Sequence, residues 1–247
     1  MRRVVAALLP FVLTVAAAAQ IVTERNRTDA LRRYRSGEKA LRNEAYLEAE
    51  REFQEAVKLD PVLDLAHYGL GQVFMATKRY AEAVRAYRNC RQAFSTMAAE
   101  ALQDRTGYER RLDDQIRALE DAKSGYEMGI AKTANTPATI LRLDSQIKQL
   151  KYQRKRGPER PEGVPAWISV ALGSAYFRTN AMQDAEREYR EALKDEPNLG
   201  EAHNNLAVVC MLTGRYDEAE REVAAAEKAG FKVNPQFKQD LKAKSGK

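Results

Sequence analysis

Two stretches of this chain carry small, aromatic and proline residues at identical spacing. The two series are Gly37, Ala49, Phe53, Ala56 and Pro61, and Gly173, Ala185, Tyr189, Ala192 and Pro197. In both, the later residues follow the glycine by 12, 16, 19 and 24 positions. A helical unit with this pattern of residues cannot bury its apolar face alone, so copies of it stack on one another. The spacing therefore predicts a scaffold of stacked helices.

The pattern resembles the tetratricopeptide repeat, whose 34-residue unit folds as two helices joined by a turn. Four repeats fall into register, over residues 30–63, 64–97, 166–199 and 200–233. The resemblance implies an all-α fold, namely a solenoid of four helix-turn-helix repeats arranged in two pairs. We expect a long helical-hairpin insertion over 98–165 and a capping helix with a tail over 234–247.

The residue types agree with this interpretation. Small residues at positions 8, 20 and 27 of a repeat allow helices to approach closely, and large residues at positions 11, 17 and 24 fill the space between them. Pro61 and Pro197 end the second helix of their repeats, because the residue before a proline disfavours helical geometry. The second repeat has Ser95 where this proline belongs. We therefore expect its last helix to continue beyond the repeat.

The first residues have the features of an export signal. Arg2 and Arg3 precede an apolar run from Val4 to Ala19, which ends in three alanines. This pattern predicts a signal peptide over 1–19 with cleavage before Gln20. The alternative is a retained membrane anchor, since the apolar run approaches the length that spans a bilayer. Residues 20–29 then form a lead-in, and the repeats lie in the periplasm, outside the cell or at the membrane surface.

The segment between the repeat pairs has a different periodicity. Apolar residues are spaced by three and four in two runs, which places each run on one helix face. The first run is Tyr108, Leu112, Leu119, Ala122 and Tyr126, and the second is Ile140, Leu143, Ile147 and Leu150. We predict a helical hairpin with a turn near Gly129 and an outgoing arm longer than its return arm, the difference being absorbed by a bend near Gly107 or by a longer turn. It is either an element for docking or self-association, or a spacer packed on itself.

The resemblance also implies a place for partner binding, because the first helix of each repeat lines a concave groove in this family. The corresponding candidates are Tyr34, Leu65, Tyr68, Gln72, Met75, Trp167, Val170, Phe177, Asn204, Asn205, Val208 and Met211. These side chains are apolar or aromatic, with a few amides. They favour a peptide or a helix with hydrophobic anchors as the ligand. The basic groups that clamp a C-terminal carboxylate in one subclass of the family are missing.

The chain carries a formal charge of +6, and part of this charge lies near the end of the insertion. The basic residues there are Lys148, Lys151, Arg154, Lys155 and Arg156. Such a cluster is either a solvated helix end or a contact for an anionic surface such as lipid headgroups. No aromatic residues alternate with the basic ones, as a single-strand nucleic-acid site would require. We therefore predict no nucleic-acid partner.

No motif in the sequence predicts catalysis, a cofactor or a metal. His67 and His203 occupy the same helix-packing position of their repeats and have no neighbouring ligands in metal spacing. Cys90 and Cys210 fall at packing positions, which predicts two buried thiols without a disulfide. Charged residues make up 31% of the chain, which suits exposed amphipathic helices.

The sequence thus predicts a non-enzymatic scaffold for protein–protein interaction in the cell envelope. One alternative is a membrane-surface adaptor that uses the basic end of the hairpin or a retained anchor. Another is a non-catalytic accessory subunit of an envelope enzyme.

Overall fold

The structure, a computed structural model, describes residues 24–101, 104–129, 136–156 and 164–246. The described residues form eleven helices and no strand. The helices are α1 (Glu24–Arg42), α2 (Tyr46–Leu59), α3 (Asp64–Ala76), α4 (Tyr80–Ala101), α5 (Arg105–Glu127), α6 (Thr136–Arg156), α7 (Ala166–Arg178), α8 (Met182–Asp195), α9 (Gly200–Leu212), α10 (Tyr216–Lys228) and α11 (Pro235–Ser245). This arrangement confirms the all-α solenoid. The signal or anchor predicted for 1–19 lies outside the described residues, and no helix within them is long and apolar enough to cross a membrane.

The four repeats form one continuous stack. Each repeat is a helix pair, α1 with α2, α3 with α4, α7 with α8, and α9 with α10. Helix α4 packs against α7, just as α2 packs against α3 and α8 against α9. Arg88 on α4 donates from Nε to the hydroxyl of Tyr176 on α7 at 2.8 Å, and Arg91 pairs with Glu188. The insertion therefore interrupts the sequence of the stack but not its packing.

Close helix approaches in the stack depend on glycine facing an aromatic ring. A Cβ atom added at Gly37 would lie 2.7 Å from the ring of Phe53, and one at Gly173 would lie 2.7 Å from the ring of Tyr189. Phe53 and Tyr189 are among the largest fully buried side chains of the described residues. The small-against-large pattern in the sequence thus corresponds to direct contacts between the two helices of a repeat.

The turn inside each repeat has the same backbone conformation in all four copies. Glu44, Lys78, Asn180 and Gly214 are each the fifteenth residue of their repeat, and all have φ between 57° and 78°. The next residue then donates its N–H to a carbonyl five residues back, as Arg79 does to Phe74 at 2.8 Å. This bond satisfies a carbonyl left open at the helix end. Only the fourth repeat uses glycine there, although the left-handed region favours it.

Proline controls where the second helix of a repeat ends. Helices α2 and α8 end at Leu59 and Asp195, two residues before Pro61 and Pro197. Helix α4 lacks this signal and extends for 22 residues, whereas α2 and α8 have 14 each. Helix α5 begins at Arg105, and its first turn is capped by Asp104, which accepts the N–H of Gly107 at 3.0 Å. The position where we expected a bend, Gly107, is therefore part of a helix start, and the arms α5 and α6 are similar in length, at 23 and 21 residues.

The stack is extended at both ends of the described chain. Helix α1 begins at Glu24, six residues before the first repeat as drawn from the sequence. At the other end, Asn234 caps α11 by accepting the N–H of Gln236 at 2.9 Å, and Pro235 opens the helix. Helix α11 packs on α10 through Leu241, which is buried. A repeat array needs such a terminal cover for the apolar face of its last unit.

Candidate partner-binding groove

Three of the five predicted groove positions in the first two repeats are buried in this structure. Tyr34, Leu65 and Tyr68 are buried, and Gln72 and Met75 are partly exposed. The Tyr34 ring packs on Phe53 at a centroid distance of 5.8 Å, and Tyr68 packs on Tyr87 at 5.4 Å. The sequence predicted these side chains as a surface for a partner, and Tyr34, Leu65 and Tyr68 are enclosed within the chain.

Helix α5 of the insertion lies along α1. Arg35 pairs with Asp121 at 3.4 Å, and the Arg42 guanidinium lies 5.6 Å from the centre of the Tyr126 ring. Gln115 lies in the apolar run of α5, and its side-chain amide donates to the carboxylate of Asp64 at the start of α3. Helix α5 thus contacts the first helices of both repeats in the N-terminal pair.

Helix α6 packs on α5 in the antiparallel direction. Three ion pairs join the arms: Lys123 with Asp144 at 2.6 Å, Glu120 with Lys151 at 2.6 Å, and Asp113 with Arg154 at 2.7 Å. Higher numbers on one arm meet lower numbers on the other, as in a hairpin. The predicted seam residues Leu143, Ile147 and Leu150 of α6 are buried, as are Leu112 and Leu119 of α5. The hairpin therefore has an apolar seam of its own.

Arg142 of α6 reaches the inner face of the stack. Its positive charge opposes the rise that burial causes in the pKa of Tyr68 and Tyr87 of the second repeat. Glu38 of the first repeat and Glu201 of the fourth also lie within its electrostatic range. No carboxylate of the described residues lies within ion-pair distance of it. Burial raises the pKa of Glu38 and of Glu201, and the positive charge of Arg142 opposes this rise in both. Arg142 thus balances negative charge that comes from both ends of the stack.

The groove positions of the third and fourth repeats are more open. Trp167 and Val170 at the start of α7 are buried, and Trp167 meets Tyr68 edge-on at a centroid distance of 4.8 Å. The remaining candidates are Phe177 on α7 and Asn204, Asn205, Val208 and Met211 on α9, and all are partly exposed. Asn204 donates its side-chain amide to Asn205 at 3.2 Å. Amides and apolar groups are therefore accessible together along α9.

Asp64 is the most strongly perturbed acid at the hairpin contact. Its carboxylate is fully buried and accepts the Leu65 N–H at 2.9 Å as well as the Gln115 amide. Burial raises its pKa to about 7, although both hydrogen bonds favour the charged form. The contact between α5 and α3 therefore contains a carboxyl group that titrates near neutral pH.

The basic cluster of α6 is partly neutralised by its surroundings. Lys148, Lys151, Arg154 and Lys155 are exposed, while the Arg156 side chain lies outside the described part. Lys151 and Arg154 form the ion pairs with α5 described above. Lys148 lies near Glu196 and opposes the rise that burial causes in the pKa of that carboxyl. The cluster thus offers less free positive charge than the sequence suggests.

The cysteines and histidines have packing roles in the structure. Cys90 and Cys210 are both buried free thiols, and burial raises the pKa of each. His67 Nε2 donates to the carbonyl of Pro61 at 2.9 Å, and His203 Nε2 donates to that of Pro197 at 3.0 Å. Among the described residues, no group of three or more His, Cys, Asp or Glu side chains is placed to hold a metal ion.

Sequence reasoning missed two features of the groove. Gln115 stands out as a polar residue within an apolar run, but its partner Asp64 is 51 positions away. Arg142 and Gln146 are one turn apart on α6 and are followed at the same helical spacing by Gln149 and Gln153. This row of polar residues was visible in the sequence beside the apolar seam. Which part of the molecule the row faces depends on how the hairpin folds back on the stack.

The repeated helix pairs define a class of protein, the α-helical solenoids with a concave inner face. Within this class, the family model described as Tetratricopeptide repeat matches residues 34–96 and 170–234, which together make up just over half of the chain. The chain belongs to the tetratricopeptide repeat family. This membership indicates a scaffold for protein–protein interaction.

Several solved structures are similar in backbone to this chain. One is PilW, described as a widely conserved type IV pilus biogenesis factor, with 14% identity, coverage of 88% of this chain and 86% of that chain, and a TM-score of 0.42. Another is PilF of Pseudomonas aeruginosa, with 18% identity, coverage of 85% and 81%, and a TM-score of 0.33. A third is MamA, with 16% identity, coverage of 88% and 96%, and a TM-score of 0.28. No curated protein matches the chain.

Proposed function

We propose that this protein is a non-enzymatic interaction scaffold that binds a segment of a partner protein on the inner face of its third and fourth repeats. The observation that carries this proposal is the difference between the two halves of the groove. The hairpin packs on the first helices of the first two repeats, where Tyr34, Leu65 and Tyr68 are buried, whereas Asn204, Asn205, Val208 and Met211 on α9 are all partly exposed. Amides beside apolar side chains suit a peptide with hydrophobic anchors.

Site-specific photo-crosslinking tests this proposal. A photoreactive phenylalanine analogue replaces Val208 or Met211 on the inner face, and Ala224, which is exposed on α10, serves as the control position. We expect the same partner to be crosslinked from Val208 and from Met211 but not from Ala224. The crosslinks should persist in 0.5 M salt, because apolar anchors are not screened by ions. Equal labelling from all three positions, or labelling from Ala224 alone, contradicts the proposal.

We further propose that the scaffold works in the cell envelope, on the basis of the leader sequence over 1–19. Mass spectrometry of the mature protein then gives Gln20 as its first residue and places the protein in the periplasmic fraction. A chain that keeps Met1 and sediments with membranes instead supports the retained anchor.

An adaptor that binds anionic membranes through α6 is favoured less, because Lys151 and Arg154 form ion pairs with carboxylates of α5.

A further inference from the structure

Helix α6 has three distinct faces. Ile140, Leu143, Ile147 and Leu150 form the seam with α5, and the opposite side carries Leu141 and Tyr152, which are largely exposed. The third face carries Arg142, Gln146, Gln149 and Gln153, spaced by four, three and four residues. This spacing keeps them on one side of a helix. We refer to these four residues as the polar stripe.

Each residue of the polar stripe has a buried polar atom without a hydrogen-bond partner among the described residues. The atoms are Arg142 Nε, Gln146 Nε2, Gln149 Oε1 and Gln153 Oε1. The Gln146 side chain is almost completely enclosed, with 2% of its residue surface exposed, while Gln149 and Gln153 are half-buried. Arg142 at the other end is half-buried as well, so the stripe is closed around Gln146 and more accessible on either side of it. A buried polar atom without a partner costs about 1–3 kcal/mol, so a ligand that supplies partners is favoured.

The inner face of the stack contributes one more unpartnered group. Trp167 Nε1 is buried without a partner among the described residues, and only 7% of Trp167 is exposed. Trp167 packs edge-on against Tyr68 on α3. The positive charge of Arg142 opposes the rise that burial causes in the pKa of Tyr68, so the first residue of the stripe lies on the side of α6 that faces this aromatic pair. The unpartnered groups lie on both sides of the boundary between α6 and the repeats.

The chemistry of these atoms identifies the class of ligand. Arg142, Gln146 and Trp167 offer N–H donors, whereas Gln149 and Gln153 offer carbonyl acceptors. An extended peptide presents N–H and C=O groups along its length, but a helix satisfies most of these groups internally. The helix rises by about 16 Å from Arg142 to Gln153, which is the length of about five residues of extended chain. A sugar ring would need a free aromatic face, and Trp167 is too enclosed to provide one.

We infer that the polar stripe and Trp167 bind the main chain of an extended peptide segment from the partner. The insertion then supplies one wall of the binding site, and the repeats supply the other. This inference rests on the proposed function and specifies its ligand as an extended peptide rather than a helix. Side chains of the peptide select the partner at α9, while the stripe recognises the backbone.

The test begins with a displayed library of random 12-residue peptides selected on the full chain. Affinities of the recovered peptides are measured by fluorescence anisotropy for the wild type and for the double variant Gln146→Met and Gln149→Met. Methionine keeps the length of glutamine without its hydrogen bonds. Gln54→Met is the matched control, because Gln54 is exposed on α2 and its amide bonds to Glu50 at 3.2 Å. Trp167 is the only tryptophan of the chain, so its emission reports directly on the site.

We expect the double variant to raise the Kd about tenfold or more and Gln54→Met to leave it unchanged. Binding should shift the Trp167 emission, and methylation of single backbone nitrogens of the peptide should weaken binding without any change to the protein. The inference is overturned if the double variant and the methylated peptides bind normally while Asn205→Ala weakens binding. In that case the stripe holds only water, and the proposed function stands. Failure to recover any peptide overturns both, and a shift of Trp167 emission by an oligosaccharide alone assigns the site to carbohydrate instead.

Discussion

The two repeat pairs are built alike but are used differently. Residues of the first pair correspond to residues of the second at an offset of 136, and several contacts recur at this offset. His67 bonds to Pro61 as His203 bonds to Pro197, and Arg79 pairs with Glu50 as Arg215 pairs with Glu186. The same framework thus carries a hairpin on the inner face of one pair and leaves the inner face of α9 partly exposed in the other. The difference lies in a few side chains that face the insertion.

The start of the third helix of each pair shows this difference most clearly. Asp64 begins α3 and receives the Gln115 amide from the hairpin, whereas Gly200 begins α9 at the equivalent position. A Cβ atom at Gly200 would lie 2.6 Å from Cβ of Phe231, which follows α10. The first pair therefore carries an acid that docks the hairpin, and the second pair has no room for one. A substitution at one helix start can thus decide whether a repeat pair docks an insertion of its own chain.

The largest effect is expected from removing the Asp64 charge. The pKa of Asp64 in the folded protein, about 7, lies above its ordinary value of 3.8. Its contribution to stability is therefore fully present below pH 4 and is lost as the pH rises to 7, by up to about 4 kcal/mol for a shift of three units. Asp64→Asn should gain stability over the wild type across this range and keep a constant advantage above it.

Urea unfolding at pH 4.5, 6 and 8 measures this change, with Asp240→Asn on the exposed side of α11 as the control. The difference between Asp64→Asn and the wild type removes the contributions of the other carboxyl groups, including Asp60, which raises the pKa of Asp64. A difference that does not depend on pH would show that Asp64 is ionised in the folded protein throughout this range.

The second prediction concerns a helix approach that differs between the pairs. A Cβ atom at Gly71 would lie 2.3 Å from the ring of Tyr87, whereas the equivalent residues of the second pair are Ala207 and Val223. Gly71→Ala should destabilise the fold by about 1–3 kcal/mol, because the ring has no free space to move into. The double variant with Tyr87→Val should be less destabilised than the sum of the two single variants, by about 1 kcal/mol, as measured in a double-mutant cycle by urea unfolding. Additive effects of the two changes would mean that these residues do not limit the approach of α3 to α4.

The sequence was sufficient to predict this framework because its determinants are local. Gly37 with Phe53, Pro61 and the missing proline at Ser95 each act within one repeat, and a fixed spacing is enough to recognise them. The extension of α4 follows from the same rule. The placement of the hairpin depends on contacts such as Gln115 with Asp64, and no spacing rule connects residues on different units.

The candidate site was predictable only as a set of positions. The family pattern selects Tyr34, Tyr68 and Asn205 alike, since all three fall on the first helix of a repeat. It does not show that Tyr34 is buried, or that the charge of Arg142 from the insertion acts on Tyr68. These outcomes depend on how well one amphipathic helix fits a particular groove, which is a property of the packed structure rather than of the repeat.

A smaller effect is expected at the turns, where the pairs use different residues in one conformation. Lys78 has φ of 61°, and the equivalent Gly214 has φ of 78°. A side chain in the left-handed region costs about 1 kcal/mol, so Lys78→Gly should stabilise the fold and Gly214→Ala should destabilise it by about that amount. No atom lies within 4 Å of a Cβ added at Gly214, so the effect there is due to the backbone alone. Thermal unfolding of both variants checks this, and a loss of stability in Lys78→Gly would contradict it.

The smallest expected effect is a difference in salt dependence between the ion pairs of Arg79 and those of Arg215. Arg215 bonds to Glu186 and Glu218, and Arg79 bonds to Glu50 and Glu82, but Arg79 also lies 4.4 Å from the centre of the Phe74 ring. The residue equivalent to Phe74 is Cys210, so the second pair has no such ring.

Replacing either arginine by methionine should cost about 0.5–1 kcal/mol at low salt, as expected for partly exposed ion pairs. In 1 M NaCl the Debye length falls to about 3 Å, so the loss in Arg215→Met should nearly vanish. The loss in Arg79→Met should persist in part, because the packing of the guanidinium on Phe74 does not depend on screened charges alone. Urea unfolding of both variants at 0.05 M and 1 M NaCl measures the difference. Equal salt dependence in the two pairs would show that the ring contributes nothing at this contact.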